Sequence, residues 1–241
     1  MTIPKIIGFT GPAGSGKDEA ASTLQTALEA LGKRVVLTSF AHPIREIARK
    51  VGLDPYNRER KEVEVSLRYS HFELQLIEAV VYELGDVVGE ESLADLYATF
   101  VTVLRDQKYL VTKRQDILTV SPRRFCQLLG TEGGRAVRQS FWNDVLVARV
   151  KRFGTQSHPL SQRRWPPAAD IVLVTDVRFP DETLPVDTLI AIDRPGVAPV
   201  AGHDSESHYG TLFNKADYKL VNDGTLAEFQ EAVAKLAEDF Q

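Results

Sequence analysis

The sequence predicts an α/β fold: a mostly parallel, doubly wound sheet carrying a helical insertion. Three observations lead there. Short apolar runs recur at 5–10 (KIIGFT), 34–39 (RVVLTS), 170–175 (DIVLVT) and 188–192 (TLIAI). They have the length and unbroken apolar character of strands buried on both faces. Segments rich in Ala, Leu, Glu and Gln follow several of these runs, and glycines or an Asn-Asp-Gly turn stand at the joins, as in alternating strands and helices.

Taken in order, the first run ends in a glycine-rich turn and a helix over 17–31 that stops at Gly32. With the second run this makes a strand–helix–strand unit whose crossover should be right-handed. A helix follows over 43–51, ended by Gly52. Residues 54–120 are charged and show no parallel-strand run, with helical stretches around 72–88 and 92–105. They read as a helical insertion or substrate-side lobe within a single domain spanning 1–241. Ser121 and Pro122 mark a helix start, as N-cap and first helical residue. That helix should end near Gly130, Gly133-Gly134 should break the chain, and a second helix should run over 135–153. Residues 156–167 are polar and proline-bearing, a surface loop. The DIVLVT strand ends on Asp176, Pro180 starts a short helix that Pro185 stops, and 188–192 is the next strand. Residues 196–210 are loop-like. A last strand over 218–221 leads through Asn222-Asp223-Gly224 into a helix from Thr225 onward.

Composition narrows the function classes. The formal net charge of −4 is the wrong sign for a protein that binds nucleic acid with its whole surface, and no apolar run is long enough to span a bilayer. The single cysteine, Cys126, cannot form an internal disulfide, and Ile3-Pro4-Lys5-Ile6-Ile7-Gly8 lacks a signal-peptide layout, so a cytoplasmic location is expected. Cys126 follows Phe125 on an amphipathic helix and reads as a buried structural thiol.

Four stretches carry chemistry. In GPAGSGKDE, Gly11, Gly14 and Gly16 let the backbone turn its N–H groups inward. Ser15 lies within the turn, a helix start adds positive potential, and Lys17 supplies a mobile charge, which together suit phosphate. The pattern G-x-x-x-x-G-K-[ST] asks next for a hydroxyl, whereas this chain has Asp18 and then Glu19. The second stretch is Asp176, Arg178 and Glu182. An acid at a strand end is where a phosphate-binding enzyme holds Mg²⁺ or its water, Arg178 is aimed to the same side of an extended backbone, and Glu182 can hold Arg178; a surface salt-bridge cluster is the alternative. Third, 121–152 holds seven Lys or Arg against two acids, with Arg135, Arg138, Trp142 and Arg149 on one helical stripe and Arg123 and Gln127 one turn apart. Arginine forks with a flat aromatic face suit a phosphorylated, planar-ringed ligand; a solvated basic face and nucleic acid are the other readings. Fourth, Arg194-Pro195-Gly196 through His203-Asp204-Ser205-Glu206 could fold over a nucleotide, so 194–210 is a candidate lid loop. Its spacing fits no zinc site.

Together GPAGSGKD, SPRRFCQLLGTEGGR with Trp142 shortly after, VTDVRFPDE, RPG…HDSE and NDG resemble the bacteriophage-type deoxynucleoside monophosphate kinases. The similarity runs from the first strand to the last helix and covers 54–120 poorly. It implies a P-loop NTPase fold, three-layer α/β/α, with a nucleoside-monophosphate-kinase-like parallel sheet. It implies transfer of the ATP γ-phosphoryl group to a deoxynucleoside monophosphate with Mg²⁺, no nucleic-acid or membrane partner, host cytoplasm if the chain is phage-encoded, and room for a homodimer. By resemblance Gly11, Gly14, Ser15, Gly16, Lys17 and Asp18 match the phosphate loop. Arg123, Arg124, Gln127, Gly130, Thr131 and Trp142 match the monophosphate side, within the two helices of 121–153. Asp176, Arg178 and Glu182 match the acid–arginine–acid set, with Asp176 on the metal. Asn222 to Gly224 fall where this class places adenine. The family commonly reads G-K-D-T, so Asp18 fits and Glu19 departs. Another small-molecule kinase of the same fold, such as a dephospho-coenzyme A kinase, and a nucleotide-dependent switch remain the alternatives.

Overall fold

The computed structural model describes residues 3–106, 116–154, 165–197 and 208–240. The chain divides into two compact units, one of Met1–Phe40, Val150–Thr155 and Trp165–Gln241, the other of Ala41–Arg149 and Gln156–Arg164. The insertion expected over 54–120 falls inside the second unit, which also takes in the segment after Phe40 and most of 121–153. No helix of the described residues is long and apolar enough to cross a membrane.

The first unit is α/β. Strands β1 (Lys5–Thr10), β2 (Val35–Thr38), β5 (Ile171–Val174), β6 (Thr188–Asp193) and β7 (Tyr218–Val221) form one parallel sheet in the order β2-β5-β1-β6-β7. The three inner strands are buried almost throughout, and edge strand β7 alternates half-buried with exposed, which is why the inner strands read as apolar runs. Helix α1 (Lys17–Ala30) and helix α8 (Leu226–Lys235) cover one face. Ile7, Phe9, Leu173, Ile190 and Ile192 pack there against Leu24, Leu28, Phe229 and Val233, each large side chain contributing about 1.5–3 kcal/mol by leaving water. Helix α7 (Tyr209–Lys215) touches β1 and β6. Inside β1, a side chain at Gly8 would lie 2.7 Å from Val177 and 3.0 Å from Val186.

Register is pinned at the amino ends by three aspartates. Asp187 accepts from the Ile6 N–H (2.7 Å) and Asp217 from the Leu189 N–H (2.8 Å). Asp170 accepts from the Arg34 N–H (2.9 Å) and guanidinium (2.6 Å), and the guanidinium bond holds its carboxyl down at about 2. Each backbone amide so used would otherwise open a gap in the ladder.

The second unit holds helices α2 (His42–Lys50), α3 (Tyr69–Leu84), α4 (Glu90–Asp106) and α5 (Pro122–Gln127), and all but the last turn of α6 (Phe141–Arg152). It also holds strands β3 (Val65–Arg68) and β4 (Ile117–Val120), paired antiparallel. This strand pair was not expected in 54–120. Asp116, at φ 44°, closes it and caps α3 by accepting from the Ser70 N–H (3.0 Å) and hydroxyl (2.8 Å). Phe125 meets Phe72 and Phe100 edge-on, at 6.1 and 5.3 Å between centroids, a geometry that aromatic quadrupoles favour.

Several expectations about 121–153 are corrected. The helix begins as predicted, with Ser121 accepting from the Arg124 N–H and Pro122 in the first turn, but it does not end near Gly130. It continues as a π-helical stretch, Leu128–Arg135, straight through Gly133 and Gly134. The glycines permit close packing here rather than a break: a side chain at Gly133 would touch Phe100 and Leu96 of α4, and one at Gly134 would lie 2.5 Å from Trp142. The next helix starts at Phe141, so Arg135 and Arg138 are not on it, and the single basic stripe dissolves. Arg149 is buried at 5% exposure and faces the 3%-exposed Glu83 of α3 at 3.7 Å.

The expected loop over 156–167 lies mostly outside the described residues. So does most of 194–210, including His203, Asp204, Ser205 and Glu206.

Removing one partner of a buried ion pair takes a compensating charge from the other. Glu83→Ala is therefore expected to destabilise the protein by about 3–5 kcal/mol, read from the urea unfolding midpoint. A change below about 0.5 kcal/mol, typical of surface substitutions, would contradict a buried pair.

Candidate functional site

The carboxyl end of β1 is the place to look. The chain leaving β1 goes toward β2 while that leaving β6 goes toward β7, so the neighbours β1 and β6 diverge at a topological switch point. Ligands of open parallel sheets bind outside such points.

The segment that bridges β1 and α1 is Gly11–Gly16. Gly14 and Gly16 have φ 81° and 105°, which side-chain-bearing residues adopt only with strain. A side chain at Gly11 would run into the Ile192 carbonyl oxygen and lie 2.7 Å from Ser15 Oγ. Lys17 folds back over the loop, its Nζ donating to the carbonyls of Gly11 (2.6 Å) and Pro12 (2.7 Å). The Ser15 N–H donates to the Pro12 carbonyl at 3.2 Å. Ser15 is fully buried, yet its hydroxyl has no hydrogen-bond partner among the described residues. The N–H groups of Gly16 and Asp18 likewise have no acceptor there, and α1 has no side-chain cap. Gly16 is half-buried and Asp18 exposed, and unpaired donors at a helix start can hold an anion.

The ends of the other strands converge on this loop. Asn222, just past β7, donates from Nδ2 to the Ser15 carbonyl at 2.9 Å, and its own N–H donates to the Asp193 carbonyl at 2.7 Å. Arg194, just past β6, reaches the Gly14 carbonyl at 3.4 Å. Gly224 leaves room for Glu228, whose carboxylate accepts from the Thr225 N–H at 2.8 Å and caps α8.

After β5, Asp176 is buried at 7% exposure and accepts from the Phe40 N–H at 2.7 Å. Arg178 is exposed. Glu182, at 5% exposure, accepts from the backbone N–H groups of Arg178 (2.7 Å) and Phe179 (3.1 Å). It therefore shapes the turn that carries Arg178. Asp18 is exposed on the first turn of α1. Among the described residues no three His, Cys, Asp or Glu side chains converge as a metal cage. A lone strand-end carboxylate fits Mg²⁺, which keeps its waters and binds through one or two carboxylates and substrate phosphates.

In the second unit, Arg123 pairs with Glu62 at 2.8 Å and Arg124 with Glu132 at 3.0 Å, all four partly exposed. Gln127 ends α5, and Gly130 and Thr131 lie in the π-helical stretch. Trp142 differs from expectation. Its indole is 4% exposed, donates to the Gly130 carbonyl at 2.7 Å and packs on Gly134, so it offers no flat face to a ligand and instead braces the π-helical stretch. Burial pushes the Cys126 thiol up to about 12, with Arg45 opposing, in keeping with an inert structural cysteine.

Several residues at these sites escaped sequence reasoning. Phe40, Glu62 and Gln230 act through backbone or through contacts distant in sequence, which no local pattern signals. Gln230 donates to Glu19 at 2.6 Å, so Glu19 faces α8.

No family model matches the chain, and no curated protein is significantly similar to it.

Glu19→Thr is accordingly expected to remove one bond between α1 and α8, costing about 1 kcal/mol. Gln230→Ala should cost a similar amount, and the double variant little more than either, as measured by urea unfolding. A double variant that loses the sum of the two single costs would contradict a shared bond.

Proposed function

We propose that this protein is a kinase that transfers the γ-phosphoryl group of ATP to a deoxynucleoside 5′-monophosphate, with Mg²⁺ as cofactor. One observation carries the reading: the loop after the central strand gathers partnerless N–H groups, the buried Ser15 hydroxyl, a helix start and Lys17 in one place. These donors suit a chain of phosphates. The order β2-β5-β1-β6-β7, with this loop on the central strand, supports reading the first unit as a three-layer P-loop fold of the nucleoside monophosphate kinase type.

Bound ATP and Mg²⁺ supply the transferable group and neutralise its charge. The chain's part is positioning and electrostatics. Gly11, Gly14 and Gly16 keep the loop backbone clear for phosphate oxygens. Lys17 exchanges the Gly11 and Pro12 carbonyls for β- and γ-phosphate oxygens. Asp176, oriented by Phe40, holds Mg²⁺ directly or through water, with Asp18 beside α1 as a second acid. Arg178 stabilises charge on the group in flight, on a turn that Glu182 keeps in shape. Asn222 and Gly224 border the nucleotide at the end of β7. Arg123 and Arg124 take the acceptor phosphate by leaving Glu62 and Glu132, with Gln127, Gly130 and Thr131 alongside and Trp142 as their brace.

A coupled assay with ATP and each of the four deoxynucleoside monophosphates tests this. Turnover with at least one is expected. ATP hydrolysis with no phosphoryl transfer would favour a nucleotide switch, and transfer to dephospho-coenzyme A alone would change the acceptor. Lys17→Ala should lower kcat about 10²–10³-fold, the scale of a lost charge-stabilising donor; full turnover would contradict the scheme.

The acceptor side is tested separately. Arg123→Ala should raise KM for the monophosphate roughly tenfold, the worth of a charge-assisted bond, with little change in KM for ATP. Equal changes in both would remove Arg123 from the acceptor site.

A further inference from the structure

We infer that Asn222 is a positioning residue that aims the Gly16 N–H at bound phosphate; this rests on the reading that the glycine loop takes nucleotide phosphates. In a trans peptide the C=O of one residue and the N–H of the next point to opposite sides of the chain, and the described residues contain no cis peptide bond. The Ser15 C=O and the Gly16 N–H belong to one peptide unit. Asn222 Nδ2 holds that carbonyl at 2.9 Å, so the Gly16 N–H faces away from Asn222.

Asn222 is itself fixed. Its N–H donates to the Asp193 carbonyl at the end of β6 (2.7 Å). Its amide nitrogen lies 2.7 Å from where a Gly16 side chain would begin, with Phe229 of α8 at 3.4 Å from the same point. The amide fills the space that glycine leaves open. Nothing else among the described residues bonds the Ser15 carbonyl. Without Asn222 the peptide could rotate and present its carbonyl oxygen, an electron-rich group, to the phosphate. One hydrogen bond therefore selects between a donor and an acceptor at the same place in the loop.

The test compares wild type, Asn222→Asp and Asn222→Ala in the full chain, with ADP and Mg²⁺ as the probe. Asn222→Asp keeps the side-chain shape but turns an oxygen toward the Ser15 carbonyl. Four readouts are used: ADP affinity by calorimetry, the Gly16 amide resonance by ¹⁵N NMR, the melting temperature, and KM for the monophosphate. In wild type, saturation with ADP should move the Gly16 amide downfield. Both variants should bind ADP about tenfold more weakly, as expected for a lost charge-assisted bond and a misdirected peptide. They should also lose most of that downfield shift, while melting temperature and KM for the monophosphate stay near wild type.

Wild-type affinity and an unchanged Gly16 shift in both variants would overturn the positioning role and leave the kinase reading standing. Weakened ADP binding that follows a matching fall in melting temperature and in monophosphate affinity would also overturn it, in favour of a general structural role. If wild type itself binds no ADP, both this inference and the kinase reading fail.

Discussion

The chain must turn from a buried strand into a helix with one buried face within six residues at the end of β1, and much of the first unit answers to that constraint. β1 is the central strand of a parallel sheet, hydrogen-bonded on both sides, so its exit is hemmed in by β5 and β6. The Ile192 carbonyl stands where a side chain at Gly11 would go. Such a tight turn leaves backbone donors with no carbonyl to meet, and a helix start adds more. The buried, unpaired Ser15 hydroxyl costs about 1–3 kcal/mol on its own, a cost that an incoming anion would remove. On the proposed reading, packing of the sheet and phosphate binding have a common origin.

The second unit shows how magnitudes separate arginines that can meet a ligand from those that hold the fold. The pairs Arg123–Glu62 and Arg124–Glu132 are partly exposed, and such pairs contribute about 0–1 kcal/mol. A phosphate can displace those carboxylates at little cost. Arg149–Glu83 is buried, and opening it costs several times more. The positive charge counted over 121–152 therefore overstates the field a ligand meets, since Glu62 and Glu83 come from outside that stretch.

Local signals made much of this legible. The apolar runs 5–10, 170–175 and 188–192 are strands because an inner parallel strand buries both faces, and Ser121-Pro122 starts a helix because capping is a property of adjacent residues. The antiparallel pair β3–β4 was hidden because Val65–Arg68 and Ile117–Val120 are short and about fifty residues apart; their pairing is not local. Gly133 and Gly134 looked like breakers because nothing nearby in sequence shows α4 and Trp142 pressing on them. Trp142 and Arg149 looked like a ligand-facing stripe because the periodicity of a helix buried nearly all round says little about which face is wet. At the candidate site the glycines and Lys17 were readable from their pattern. The bonds from Asn222 and Arg194 to the loop carbonyls depend on the strand order and could only be seen once the sheet was assembled.

The central claim is that the loop between β1 and α1 takes the phosphates of a nucleotide. A crystal structure of the full chain with ADP, Mg²⁺ and a deoxynucleoside monophosphate tests it most directly. The β-phosphate should lie within hydrogen-bond reach of the Gly16 amide, with Lys17 Nζ moved off the Gly11 and Pro12 carbonyls onto phosphate oxygen. A nucleotide bound elsewhere, with Lys17 still on those carbonyls, would contradict it.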